Sequence, residues 1–170
     1  KEQYRDCILM FRLGDFYEMF FDDATLASRE LEITLTGKDC GLPERAPMCG
    51  VPFHAVDGYI SRLINKGYKV AICEQVEDPA LAVGLVKREV IKIVTPGTVT
   101  DMTMLDEKKN NYLVSIYSKG PMFGLAIVDV STGELSTARI TWGNTVNKLL
   151  DEIAKYAPAE IIINKTFSQT

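Results

Sequence analysis

The sequence predicts an α/β protein, with α+β organisation, that contains two domains. Apolar strand-like runs alternate with helical periodicities through the first 95 residues, which favours a mixed sheet. The breaker Pro96-Gly97-Thr98 precedes a polar stretch, which we interpret as a linker over residues 101–110. Alternating apolar and polar segments follow it. The domains are therefore predicted at residues 1–100 and 111–170.

The first domain opens with a strand and a helix. Residues 7–13 form a β-like run that Gly14 ends. From residue 17 the apolar spacing changes to alternating intervals of 3 and 4, which is typical of one helix face. The residues of this stripe are Tyr17, Phe20, Ala24, Ala27 and Leu31. Residues 31–36 then predict a short strand, and residues 37–47, with two Gly and two Pro, predict a loop.

A second helix and two strands complete the first domain. The helix is predicted from Ala55 to Asn65, with Gly67 as its stop signal. Strands are predicted at about 69–74 and 89–95, with a loop or short helix near 78–87 between them.

The second domain is predicted as three antiparallel strands, a helix and a fourth strand. The elements are Tyr112–Tyr117, Met122–Val130, Glu134–Thr141, a helix over Thr145–Tyr156 and a strand over Ala159–Asn164. The helix has Val146, Leu149, Leu150 and Ile153 on its apolar face. This β-β-β-α-β order is the opening half of a ribonuclease-H-like fold, so we expect a partial domain of that type.

Charge and composition limit the function classes. The 170 residues carry a formal net charge of −4, with 46% hydrophobic and 25% charged residues, which excludes a disordered or fibrous chain. Residues 1–100 contain 12 Lys and Arg against 15 Asp and Glu, and the rest contain 7 against 8. This is the wrong sign for binding nucleic acid through bulk electrostatics. Any nucleic-acid binding must therefore be local and geometric.

Cysteine and histidine usage argues against a metal centre. The four cysteines include no C-x-x-C pair, and His54 is the single histidine. Cys7, Cys49 and Cys73 are predicted to be small buried hydrophobes, and His54 to order the entry into the second helix. No apolar run reaches the roughly 18 residues of a membrane span, and the charged N-terminus lacks a secretory signal. We expect a reduced, cytoplasmic chain that is a piece of a longer protein.

The sharpest local feature is Gly14-Asp15-Phe16-Tyr17-Glu18. Phe16 lies off the helix stripe at a strand-to-helix turn, where an aromatic ring can stack on a base or wedge between base steps. A carboxylate two residues later can accept a hydrogen bond from a base edge. The alternative is structural, with Asp15 as N-cap, Glu18 completing a capping box and Phe16 in the core. The pattern alone leaves both interpretations open and favours the structural one.

A set of ordered motifs resembles the bacterial MutS family of DNA mismatch repair proteins. The run from Phe11 to Phe20 is similar to that family's mismatch-recognition motif. Further similar segments, in order, are Pro47–Ala55, Val70–Gln75, Ile93–Thr98 and Asp129–Gly133. The resemblance covers essentially the whole chain. It implies a mismatch-recognition domain followed by the N-terminal part of the connector domain.

The resemblance also implies site residues and partners. Phe16 matches the aromatic residue that stacks on a mispaired or unpaired base, and Glu18 matches the carboxylate that hydrogen-bonds that base. Lys38 and Arg88 align with basic positions that contact DNA, and Arg12 lies close to the wedge in sequence. Implied partners are mismatched duplex DNA and, through the connector of the complete protein, a MutL-type repair protein. We expect this chain to be monomeric, the complete protein to be a homodimer, and both to be cytoplasmic and nucleoid-associated.

Two alternatives to a mismatch-binding module stay open. Asp129, in the strand before Ser131-Thr132-Gly133, matches the first carboxylate of ribonuclease-H-like two-metal nucleases. The other alternative is a module that binds only proteins. The sequence contains no G-x-x-x-x-G-K-[ST] motif, so the ATPase and its ATP and magnesium, expected of the complete family protein, are not expected in this chain. We therefore predict no cofactor, no metal and no enzymatic activity here.

Overall fold

The computed structural model describes residues 1–77, 84, 86–105, 109–141, 143–165 and 167. The chain divides into two compact units, Lys1–Thr95 and Pro96–Thr170. In the part of the chain described, no helix is both long and apolar enough to cross a membrane. The mixed α/β fold class predicted from the sequence is confirmed.

A six-stranded mixed sheet forms the first unit. Its strands are β1 (Cys7–Leu13), β2 (Phe16–Phe20), β3 (Thr36–Lys38), β4 (Ala46–Pro52), β5 (Lys69–Gln75) and β6 (Arg88–Val94), in the order β3-β4-β2-β1-β5-β6. The β1 and β5 strands are parallel, and the other neighbours are antiparallel. Its described residues also form the α-helices α1 (Phe21–Leu31) and α2 (Val56–Asn65), and a 3₁₀ turn, Phe53–Ala55, precedes α2.

The prediction that a helix begins near Tyr17 is wrong. Gly14, at φ +58°, and Asp15 form a two-residue hairpin loop, so the chain folds back and β2 pairs with β1. Phe16 is exposed while Tyr17 and Met19 are buried, which is the period of 2 expected of a strand. The helix begins only at Phe21. Its buried stripe is Ala24, Ala27 and Leu31, which were predicted. The first two residues of the predicted stripe, Tyr17 and Phe20, belong to β2 instead.

The segment from 31 to 52 also differs from the prediction. Residues 31–36 are not a strand, because α1 continues to Leu31 and β3 begins at Thr36. The predicted loop over residues 37–47 contains the end of β3 and the start of β4. Two prolines and Gly50 conceal β4 in the sequence, since proline weakens a strand prediction. Pairing with β2 on one side and β3 on the other nevertheless holds β4 as a strand, with Cys49 and Val51 fully buried.

The predicted second helix and the two strands that follow it are confirmed. The helix over 55–65 is α2, Gly67 follows it at φ +86°, and the strands near 69–74 and 89–95 are β5 and β6. The predicted loop or short helix near 78–87 lies outside the described residues, except for Gly84 and residues 86–87. The three cysteines predicted to be buried, Cys7, Cys49 and Cys73, are buried.

The core of the first unit lies between one face of the sheet and the two helices. The α1 helix packs against β2 and β4, and α2 packs against β5. Met10, Met19 and Leu63 are fully buried there. Burying each such side chain stabilises the fold by roughly 1.5–3 kcal/mol. The register places Phe16 and Glu18 on the opposite face of the sheet, which these helices leave uncovered.

The described residues of the second unit form a four-stranded sheet and an α-helix. Its strands are β7 (Tyr112–Lys119), β8 (Met122–Asp129), β9 (Glu134–Ile140) and β10 (Glu160–Ile163), in the order β10-β7-β8-β9, and its helix is α3 (Thr145–Tyr156). The antiparallel β7-β8-β9 meander, the helix and the fourth strand confirm the predicted order. The β10 strand pairs parallel to β7.

The predicted apolar stripe of α3 is buried only in part. Leu149 is buried against the sheet and Ile153 packs at the edge of that core. Val146 and Leu150, which share the predicted apolar stripe, are 54% and 56% exposed. The helix therefore presents a narrower face to the sheet than its sequence suggests, and the flank of the stripe stays open.

Candidate nucleic-acid interface

Phe16 is held at the end of the β1–β2 hairpin with nearly half of its surface exposed, at 47%. It is the first residue of β2, with Leu13 of β1 and Pro52 of β4 as its cross-strand neighbours. The Phe53 amide donates to the Asp15 carbonyl at 3.0 Å, which ties the hairpin loop to the turn before α2. The predicted partial exposure of Phe16 is confirmed, although the residue begins a strand and not a helix.

Glu18 lies two residues farther along β2 on the same face as Phe16, as the period of a strand requires. Its carboxylate accepts a hydrogen bond from the Lys38 ammonium, with Nζ 2.5 Å from Oε2. The proposed capping box with Asp15 is wrong, because both residues belong to the hairpin and α1 starts after them. The structure thus brings together Phe16, Glu18 and Lys38, three of the five residues predicted from the sequence.

The remaining two predicted residues occupy different places. Arg88, in β6, has its guanidinium 5.7 Å from the centre of the Phe11 ring, and Phe11 pairs directly with Glu18. One Arg88 Nη donates to the Val86 carbonyl at 3.0 Å, while its Nε is buried without a partner. Arg88 therefore lies on the face of Glu18, toward the other edge of the sheet.

Arg12 lies on the opposite face of β1. Its cross-strand partner is the buried Tyr17, and its guanidinium stacks 3.9 Å from the centre of the Phe53 ring. Its Nε donates to the Gly14 carbonyl at 2.5 Å. Arg12 is thus near Phe16 along the chain, but the structure does not place it on the surface that carries Phe16 and Glu18.

A partly buried hydrogen bond behind the hairpin was not predicted from the sequence. The Tyr17 hydroxyl donates to the Glu74 carboxylate, which joins β2 to β5 across β1. Burial and the neighbouring Glu74 carboxylate raise the pKa of Tyr17 above its ordinary value. The sequence signal was indirect, since both residues stand in the motifs that carry the family resemblance. This bond supports the hairpin from the helix side of the sheet.

Asp129 is fully buried at the end of β8, and its oxygens have protein partners. It accepts hydrogen bonds from Asn110 Nδ2 at 3.0 Å and from the Ser131 amide and hydroxyl at 2.9 and 2.6 Å. Burial alone would raise its pKa, but the hydrogen bonds outweigh it and hold the pKa below the usual value. Among the described residues, no group of three His, Cys, Asp or Glu side chains is placed to hold a metal ion.

His54 lies in the 3₁₀ turn that leads into α2, as predicted from its position before that helix. Its ring is edge-on to Phe53, with centroids 5.9 Å apart. It belongs to the turn that supports the β1–β2 hairpin.

Comparison with known protein families assigns both units. Residues 1–103 match the family model MutS domain I, and residues 111–170 match MutS domain II. The chain belongs to the MutS family of DNA mismatch repair proteins. The two matches follow the order of the two units, with the mixed sheet in domain I and the four-stranded sheet in domain II.

Curated relatives agree with the family models. The chain is 77% identical over 164 residues to the DNA mismatch repair protein MutS of Ruminiclostridium cellulolyticum, which covers 96% of this chain. It is 74% identical over 167 residues to the protein of that name from Acetivibrio thermocellus, and 62% identical over 167 residues to that from Lachnoclostridium phytofermentans. The chain spans about a fifth of the length of these relatives, 18–19%.

Proposed function

We propose that this chain recognises mispaired or unpaired bases in duplex DNA, with Phe16 as an aromatic wedge and Glu18 as a base-contacting carboxylate. The observation that carries the proposal is their arrangement on β2. The half-exposed ring and the carboxylate stand two residues apart, on the sheet face that α1 and α2 leave uncovered. Membership of the MutS family supports this interpretation of the pair.

An aromatic wedge selects for weakened pairing because of what insertion costs. Unstacking a base step costs a few kcal/mol, and the cost is lowest where pairing is already broken. Stacking on the ring returns about 1–3 kcal/mol per base. Phe16 suits this role because its hairpin position is fixed by the Phe53–Asp15 hydrogen bond while its ring remains accessible.

The carboxylate adds discrimination by penalising ordinary duplex. A negative charge near the phosphates is repelled, and a base that donates a hydrogen bond to it compensates for this repulsion. Glu18 is half-buried on the face of Phe16, so it would meet the same base step. Lys38 and Arg88, on that face, are the cations that we assign to backbone contacts, and Arg12 supports the hairpin through Phe53.

The remaining parts of the proposal concern the complete protein. We propose that this chain acts without catalysing a reaction itself, that partner repair proteins of the MutL type are reached through the second unit, and that dimerisation and ATP use belong to segments beyond it. The hydrogen bonds that Asp129 accepts support a structural role for that carboxylate in place of the nuclease alternative.

The test is fluorescence anisotropy of one paired and one mismatched duplex at stated salt, using the complete polypeptide that carries these residues. We expect tighter binding to the mismatched probe and loss of that preference in Phe16→Ala. Equal affinities for the two probes in the unsubstituted protein would refute the proposal. Magnesium-dependent cutting of the heteroduplex that disappears in Asp129→Asn would favour the nuclease alternative instead.

A further inference from the structure

An ion pair connects the proposed recognition carboxylate to the edge of the sheet. Lys38 is the last residue of β3, and Glu18 is in β2, with β4 between them. Their charged atoms are 2.5 Å apart although the strands β3 and β2 lie two strand spacings, roughly 10 Å, apart. The Glu18 side chain is 16% exposed and that of Lys38 is 39% exposed. This pair therefore lies on the surface that we propose to face DNA.

Gly50 lies in β4, the strand between those of Glu18 and Lys38. It is the β4 residue directly opposite Glu18, and a Cβ there would lie 3.5 Å from Glu18 Cγ. The Lys38 side chain reaches across β4 to Glu18, and its Nζ lies 5.6 Å from the centre of the Phe20 ring. The lysine is thus held along the sheet surface and directed toward Glu18.

The ion pair creates a competition when DNA binds. If Glu18 accepts a hydrogen bond from a base, Lys38 can exchange its carboxylate partner for a phosphate, and no charge is left unpaired. On fully paired DNA the same exchange would leave the Glu18 carboxylate alone beside the phosphates, which is unfavourable. The cation is therefore released only where a base supplies a partner to Glu18.

We propose that Lys38 is a specificity-determining residue that contacts a DNA phosphate at a mismatch but stays paired with Glu18 on perfect duplex. This inference rests on the proposed function, and it adds a step that the wedge does not require. In this proposal Lys38 contacts a phosphate only when a mismatch is bound, and not on every duplex. The two kinds of contact differ in how binding depends on salt, because each phosphate contact steepens the plot of log affinity against log salt by about 0.9.

A double-mutant cycle on paired duplex tests the exchange. Glu18→Gln should free Lys38 on paired DNA, so that affinity rises several-fold and the salt slope steepens by about 0.9. In a Lys38→Met background the same Glu18→Gln change should leave the slope unaltered and give a much smaller gain. If Glu18→Gln tightens binding to the same extent in both backgrounds, the carboxylate acts by repulsion alone and the proposal is overturned.

The controls separate this inference from the proposed function. Lys66 and Glu30 form a similarly exposed pair, 46% and 18%, with 3.1 Å between charged atoms, away from the Phe16 surface. A Lys66→Met and Glu30→Gln cycle should change no slope. Lys38→Arg keeps the cation, so Glu18→Gln should still steepen the salt slope in that background, and Lys38→Gln replaces Lys38→Met if the latter does not fold. If Phe16→Ala abolishes mismatch preference but the Lys38 cycle is additive, only the exchange is refuted; if Phe16→Ala retains the preference, the proposed function fails.

Discussion

Replacing Phe16 by alanine should separate DNA recognition from stability. Phe16 is 47% exposed, so its side chain contributes about half of the 1.5–3 kcal/mol of a fully buried aromatic. The substitution should therefore lower the free energy of unfolding by about 1 kcal/mol. The stacking term on a mispaired base is about 1–3 kcal/mol, or about 5- to 150-fold in affinity at 25 °C. We therefore expect a modest change in melting temperature and a large loss of mismatch affinity.

The assay compares two variants at the same end of the sheet. Phe53 is 41% exposed, but its ring stacks on Arg12, which lies on the opposite face of the sheet from Glu18. Phe53→Ala should lower stability by an amount similar to Phe16→Ala, because a comparable ring area is removed. It should leave the ratio of mismatched to paired affinity unchanged. Thermal melts and anisotropy titrations on both probes measure these quantities on the same samples.

The expected pattern fails if the two phenylalanines behave alike. If Phe16→Ala and Phe53→Ala reduce both affinities equally, the loss comes from the destabilised hairpin and not from a missing wedge. If Phe16→Ala costs several kcal/mol of stability, its ring is a core residue, contrary to its half-exposed position in the structure.

Three further outcomes follow. Glu18→Ala should tighten binding to paired duplex and lower the mismatch preference in titrations of both probes, because a repulsive charge and a base contact are removed together. Asp129→Asn should destabilise the second unit by about 1–3 kcal/mol in denaturant unfolding. Since the Asp129 pKa is depressed in the folded state, its stabilisation is present above the unfolded pKa of about 3.9 and should be lost as pH falls below it. Gly14→Ala should cost about 1–2 kcal/mol in thermal unfolding, because Gly14 has φ +58° in the hairpin loop; a neutral effect would contradict this conformation.

The sequence predicted most helices and strands correctly. It assigned most of β2, the strand that carries Phe16 and Glu18, to a helix. The spacing from Tyr17 to Leu31 fits a helix, and the first two members of that stripe are equally compatible with a strand. Pairing with β1 and β4 decided the outcome, since tertiary pairing overrides local periodicity. Pairing also explains why β4 is a strand although its two prolines weaken a strand prediction. The second unit was easier because its alternation and its turns agree with its pairing.

The sequence identified individual residues of the candidate site but not the contacts between them. Phe16 and Glu18 were identified through a motif that is contiguous in sequence, whereas the Lys38 contact depends on the register of β3, β4 and β2. Neither the Lys38–Glu18 pair nor the Tyr17–Glu74 bond can be read from spacing, because 20 and 57 residues separate the partners. Arg12 shows that nearness in sequence is not enough either, because it lies four residues from Phe16 but on the opposite face of the sheet.

The acidic balance of the chain is compatible with a recognition role when affinity and discrimination are considered separately. A cation free to bind any phosphate strengthens paired and mismatched complexes equally, so it adds affinity without discrimination. On the Phe16 surface, Lys38 is engaged by Glu18, and Arg88 is held by the Val86 carbonyl beside the Phe11 ring. Both cations must leave or share these partners before they contact DNA. We therefore expect charge added to this face, as in Thr36→Lys, two residues before Lys38 in β3, to tighten both complexes and to leave their affinity ratio unchanged. A rise in that ratio would show that bulk attraction, and not the local geometry around Phe16, limits recognition.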